Sequence, residues 1–305
     1  MHEVTKKLLG LVSGWTGDFQ GAYNLRVDGS CAGRQSSEHI RIDGKTGKPG
    51  LDIRILPGTA GETVSIPACV THGDVDDVVY NDFYVGENAD VTIVAGCGVH
   101  TETGEPARHN GIHRFFLEPG ARVKYIEKHI GTGNGAGIRS IDPVTEAYLK
   151  ENAMLEMDSA QIGGVDRTLR DTKVTLDKGA KLIIQERIYT EKNQSAETLF
   201  QVELNGEGSS ADIVSRSVAC GESRQSYTST IIGNASCSGH SACDAIIEGN
   251  GTVDAAPKLW ARNGDAALIH EAAIGKIASE QIIKLRTLGL TEEEAEEQII
   301  KGFLS

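Results

Sequence analysis

A short pattern recurs along the chain: a turn residue, an alanine, one variable residue, then apolar residues at alternate positions. It reads ENADVTIVAG around Ala89, PGARVKYIEK around Ala121, ENAMLEMDSA around Ala153 and KGAKLIIQER around Ala180. It returns as SSADIVSRS around Ala211 and, more weakly, as HSACDAIIEG around Ala242. These alanines stand 32, 32, 27, 31 and 31 residues apart. A period in this range marks a solenoid or array, whose units bury their apolar faces only against one another. Within each unit the apolar period is two, as in Val91 and Ile93 or Val123 and Tyr125, so the unit is a strand. No helix-forming stretch accompanies each unit, which excludes leucine-rich and βαβ repeats. The 36 glycines against 7 prolines, scattered rather than clustered, supply many tight turns. The expected fold is therefore mainly β, a parallel β-helix whose small corner alanines let coils approach closely. An antiparallel sandwich or jelly roll is the rival.

The chain divides into three parts on this reading. Residues 1–18 form a short N-terminal helical segment, 19–256 the β-helix core, and 257–305 a C-terminal helical domain. Beyond Pro257 the texture changes, and from Ile274 helical spacing takes over through Ile277, Ile282, Leu285 and Leu288 up to Gly289. Thr291 and Glu294 make a capping box for a second helix, with Leu290 and Ala295 as its hydrophobic staple. Ala295, Ile299 and Phe303 then line one face. So short a hairpin must cover something: it is either a lid on the end of the β-helix or a docking surface for a partner.

The 305 residues carry a net charge of −13 and no basic block, so the electrostatic footprint of a nucleic-acid binder is missing. No apolar run reaches the roughly 18 residues of a membrane span. The apolar stretch Leu8–Val12 is too short for a signal-peptide core of about 7–15 residues. A cytoplasmic protein with six reduced cysteines is expected.

Three groups of residues could carry chemistry. The segment CSGHSACD spaces Cys237, His240 and Cys243 three apart; as one strand it would place His240 opposite the two thiols, whereas a turn at Gly239 would gather all three. His270 and Glu271 follow 27 and 28 residues after Cys243, near one coil, so the solenoid could stack them beside it. Cys97, His100, His109 and His113 are a third candidate for metal, zinc included, though loop histidines are as often surface groups. GTGNGAG lacks the lysine of a phosphate-binding loop, and no G-x-S-x-G elbow occurs, so this chain is expected to bind no nucleotide.

The combination CDAIIEG, ALIHEA and GLTEEEAEEQIIKGF resembles the C-terminal signature of the SufB/SufD family of iron–sulfur cluster assembly proteins, densely over Ser241 to Leu304 and more loosely from Ile53 onward. That resemblance implies a right-handed parallel β-helix followed by a small helical domain, a dimer built through the last coils, and a SufC-like ABC ATPase docked on the C-terminal helices. It implies that the chain is a scaffold and not an enzyme, with ATP hydrolysis supplied by the partner. Cys243 falls on the cysteine where SufB-type members form the nascent cluster, and His270 and Glu271 on the pair beside it. On this basis the chain is SufB-like, of the compact archaeal or anaerobe type, a homodimer within a two-plus-two complex, without nucleic-acid or membrane partners. The expected ligands of a transient iron–sulfur cluster are Cys243, Cys237, His270 and Glu271, with Cys97 a weaker candidate. The expected docking residues are Leu285, Leu288, Leu290, Ile299 and Phe303. The sulfur-accepting cysteine of longer members is replaced near Phe116–Leu117, which leaves the sulfur route open. A SufD-like adapter, docking the ATPase without holding a cluster, is the alternative; a β-helix carbohydrate enzyme has no paired acids to support it.

Overall fold

A computed structural model describes residues 1–305. It is a β-solenoid in which two sheets of parallel strands face each other across a continuous apolar interior. One sheet stacks, in ladder order, Asp90–His100, Arg122–Thr132, Met154–Ile162, Lys181–Thr190, Ser210–Ala219, Cys237–Ile247 and Ala266–Gly275. The facing sheet is built the same way and ends in Thr252–Ala261. The long ladders are parallel throughout, which rules out the antiparallel rival. Antiparallel pairs occur only where Ala22–Val27 meets Ser30–Gln35 and Ile40–Gly44 meets Gly50–Ile55, at the N-terminal end.

The strands form because their alternate residues fill the interior: Leu182, Ile184 and Ile188 point inward while Lys181, Gln185 and Arg187 point outward. The corners explain the repeat. Asn88, Gly120, Asn152, Gly179 and Gly208 each take the left-handed conformation, with φ of 55°, 69°, 58°, 64° and 73°. Glycine adopts that region freely, and asparagine and aspartate at low cost. The next residue turns straight into the interior: Ala89, Ala121, Ala153, Ala180 and Ser209 are all buried. Register corrects the sequence reading here. Ser209, not Ala211, continues the alanine column, because Leu182 pairs with Ala211 and Lys181 with Ser210. Cys237 takes the corner in the following coil, where the sequence pattern had pointed to Ala242, which pairs instead with Val214.

Helix α1 (Glu3–Ser13) lies flat on the outside of the first sheet, burying Leu8, Leu9 and Val12. Gly96 permits this seat, since a Cβ there would come within 2.3 Å of the Val12 carbonyl oxygen. At the other end the ladder continues through Ala266–Gly275, so the coil runs well past residue 256, where composition marks the domain boundary. Helices α2 (Ser279–Arg286) and α3 (Glu292–Phe303) do not lid this end. They fold back on the flank, where Ile299, Ile300 and Phe303 pack against Val218, Cys220 and Ile246. The last coil is left open, with Leu259 and Leu268 only partly covered and Trp260 and Ile269 exposed. No helix is long and apolar enough to cross a membrane.

Candidate functional site at the open end

The strand Cys237–Ile247 is straight, and no turn forms at Gly239. That glycine faces inward, where a Cβ would meet Ile231 and Leu268 side-chain atoms at 2.9 Å, so close packing across the interior requires it. Cys237, Ser241 and Cys243 share the inward face, while His240 faces out. The gathering of Cys237, His240 and Cys243 therefore does not occur. Six residues of strand separate the two thiols by roughly 20 Å, too far to share one ion. Cys97 lies five ladder steps away, roughly 24 Å along the solenoid axis, and in the column of Ala245 rather than Cys243.

One step beyond the Cys243 strand, Ser241 pairs with His270 and Cys243 with Ala272. His270 thus points inward, diagonal to Cys243 at roughly 8 Å between Cα atoms. Neither ring nitrogen of His270 meets a hydrogen-bond partner in good geometry, although the Ser241 backbone is close, and both are shielded from water. Burial pushes this imidazole down from its ordinary pKa, so it is neutral at pH 7. Glu271, as the neighbouring strand residue, faces out and lies 72% exposed, away from Cys243. The structure brings Cys243 and His270 together and leaves Glu271 on the opposite face.

Cys243 is 1% exposed. Burial first, and then the Glu186 and Asp244 carboxylates, push its thiol up to about 12, so it is protonated. Its inward column continues downward through Ser215, Glu186, Ser159 and Glu127. This begins a buried polar thread. Ser215 Oγ and Thr198 Oγ1 both donate to the Glu186 carboxyl oxygens, at 2.7 and 3.1 Å. Arg170 bridges Glu186 at 3.3 Å and Glu127 at 2.7 Å. His129 Nε2 lies 3.3 Å from Glu127, and Tyr125 donates to it at 2.8 Å. Burial alone would raise the Glu127 carboxyl, but His129 and Arg170 outweigh it and hold the group well below the usual range. At Glu186 burial wins over Arg170 and the carboxyl is raised.

The thread reaches the third histidine group. His113 bonds to the Tyr125 hydroxyl at 2.8 Å, and His109 pairs with Asp77 at 3.0 Å. Both are strand residues buried to 4% and 1%, not surface loop groups. His100 instead pairs with Thr132 at 2.9 Å. Cys97, His109 and His113 line a small cavity with Asn81. Nowhere in the chain do three or more histidine, cysteine or acidic side chains converge in a geometry able to hold a metal ion. Glu127, Arg170 and Glu186 escaped the sequence reading. Their signal was present: each interrupts the inward alternation of its strand, as Glu186 does between Ile184 and Ile188.

The chain is thus a parallel β-solenoid with a thread of buried ionisable groups leading to a buried thiol and a histidine of the terminal coil. Residues 78–303 match the family model described as SUF system FeS cluster assembly, SufBD core domain, and the chain belongs to that family. It is 29% identical over 84% of its length to an iron-sulfur cluster assembly SufBD family protein of Methanothermobacter thermautotrophicus, of which it covers 62%. A relative of the same description in Archaeoglobus fulgidus is 28% identical over 89% of this chain and 72% of its own. One in Methanocaldococcus jannaschii is 28% identical over 88% of this chain and 86% of its own. The chain thus spans just under two thirds of the Methanothermobacter protein and most of the Methanocaldococcus one.

Proposed function

We propose that this chain is a scaffold subunit on which a nascent iron–sulfur cluster is built at Cys243 and His270, in a homodimer joined through the open terminal coil. The reading is carried by His270, whose two ring nitrogens are withdrawn from water and unpartnered beside a free thiol. Such buried nitrogens cost stability unless a ligand or partner satisfies them. Thiolate with imidazole ligation suits a cluster that must later be released. Two protomers related by a two-fold axis would present two such pairs, completing a ligand set that one protomer lacks. Cys243 must lose its proton to bind iron, so an opening that hydrates the site would favour loading. An ABC-type ATPase of the SufC kind is the proposed partner, docking on the exposed side of α2 around Leu288, with Leu285 and Leu290 at its margin. Ile299 and Phe303 hold the hairpin to the body instead. The cytoplasm is the proposed location.

The burial of Cys243 and its distance from Cys237 favour a second reading, an adapter that docks the ATPase and holds no cluster. Anaerobic reconstitution with ferrous iron and sulfide, followed by visible absorption, separates the two. Wild type should develop the charge-transfer bands of a cluster, while Cys243→Ser and His270→Ala should lose most of them. Equal yields in wild type and Cys243→Ser would reject the site; no cluster in any of them would favour the adapter.

A further inference from the structure

Glu271 does not face Cys243, and its surroundings suggest other work. On the outer face of the same sheet, Asp212, His240 and Glu271 come from three successive strands, Ser210–Ala219, Cys237–Ile247 and Ala266–Gly275. Asp212 pairs directly with His240 in the ladder. Its Oδ1 lies 2.8 Å from His240 Nδ1, and His240 Nε2 lies 4.0 Å from Glu271 Oε2. Asp212 and His240 line an outer groove of about 380 Å³, floored by Ala211 and Gly239 and flanked by Ile183 and Ile269.

We propose that His240 and Glu271 form a binding site for a divalent first-row metal ion, oriented by Asp212. An aspartate on one ring nitrogen of a histidine fixes the tautomer: the proton stays on Nδ1, and the lone pair on Nε2 points away toward the ligand side. Here a carboxylate oxygen, Glu271 Oε2, lies on the side of that nitrogen, 4.0 Å away. At 4.0 Å the pair is too wide for a hydrogen bond. Two metal–ligand bonds of about 2.1 Å at a tetrahedral angle place their donor atoms about 3.4 Å apart. The exposed Glu271 side chain closes that difference by a small torsional adjustment. Imidazole with carboxylate suits ferrous, manganous and zinc ions. The coordination shell is completed by water, so the ion is held exchangeably.

The site sits on the strand of Cys243, on the other face of the sheet. Acting as a ferrous entry point for that thiol rests on the scaffold reading above; binding the metal does not. The test therefore uses manganous ion, which avoids thiols and gives an electron paramagnetic resonance signal that is lost on binding. Titration of the purified full chain should count one strong site. His240→Ala and Glu271→Gln should each weaken it by at least tenfold, and Asp212→Asn by about tenfold through loss of orientation. Cys243→Ser should bind as wild type. All three substituted side chains are at least one third exposed, so folding is retained, which circular dichroism verifies. Absence of a strong site in wild type, unchanged affinity in His240→Ala, or loss of binding in Cys243→Ser would each overturn the proposal. Failure of Cys243 in reconstitution would leave it standing.

Discussion

At the scale of single residues, the most consequential side chains are charges in places where a solenoid normally keeps aliphatics. Arg170 is shared between two buried carboxyl groups, Glu127 and Glu186. Removing one member of such a set leaves uncompensated charge in the interior, at a cost of about 3–5 kcal/mol. Arg170→Leu should therefore lower the urea midpoint strongly, whereas the double change with Glu127→Gln should recover part of the loss; a loss equal to that of a surface arginine would show the thread to be hydrated. The buried histidines add a pH dependence whose sign is fixed by proton uptake. Burial lowers His113 to about 4, against an unfolded value near 6.5, so between those values the unfolded chain binds the extra proton. Stability then falls as pH drops through this window. His129, also lowered by burial, acts in the same direction, and the depressed Glu127 adds a loss at more acid pH. The raised Glu186 opposes them, since its native form holds a proton that the unfolded chain releases. Urea midpoints should decline from pH 7 to pH 4.5, and His113→Gln should flatten the decline; a flat wild-type profile would refute the account.

Among the elements, the two helical attachments are held by different means. Helix α1 depends on the bare backbone of Gly96 and on Gly98, where a Cβ would press on Leu8 at 3.0 Å. Gly96→Val should displace the helix while the solenoid keeps its strand signal, seen as a red shift of Trp15 fluorescence and earlier proteolysis near residue 14. The C-terminal hairpin is pinned by Ile299 and Phe303, and α3 is closed at its start by a complete capping box. Thr291 accepts from the Glu294 N–H at 3.2 Å, and the Glu294 carboxylate accepts from the Thr291 N–H at 2.8 Å. Leu288 is a large apolar side chain 73% exposed. Leu288→Asp should abolish co-purification with the proposed ABC-type ATPase without changing the melting temperature. Phe303→Asp should instead loosen the hairpin itself, read as faster amide exchange over 279–303. If Leu288→Asp leaves co-purification intact, the docking assignment fails.

For the whole molecule, the asymmetry between its two ends matters most. At the N-terminal end the sheets finish in the antiparallel edge strands Ser30–Gln35 and Ile40–Gly44, whereas at the other end the parallel strands Thr252–Ala261 and Ala266–Gly275 present edges beside exposed Trp260 and Ile269. Open edges of this kind pair with another chain unless blocked. Sedimentation velocity should find a dimer at micromolar concentration, and Trp260→Glu with Ile269→Lys should convert it to monomer with the strand signal intact. A monomeric wild type would remove the homodimer from the proposed function.

Much of this protein was legible in its amino acids because a solenoid is built from local rules. Alternation along Val123, Tyr125 and Glu127 decides which side chains face inward, and an Asn or Gly before a small residue sets each corner. Even the parting of His270 from Glu271 follows from their adjacency once the segment is known to be a strand. Register is another matter. Successive coils differ in length, so spacing along the chain cannot say that Ser209 and Cys237 continue the alanine column, or that Ser215 and Glu186 stand beneath Cys243. Those neighbours are chosen by hydrogen bonding between strands roughly thirty residues apart, as is the union of Glu127, Arg170 and Glu186 from both sheets. The placement of the helical hairpin on the flank was equally out of reach, because an apolar stripe states that it must be covered but not by what.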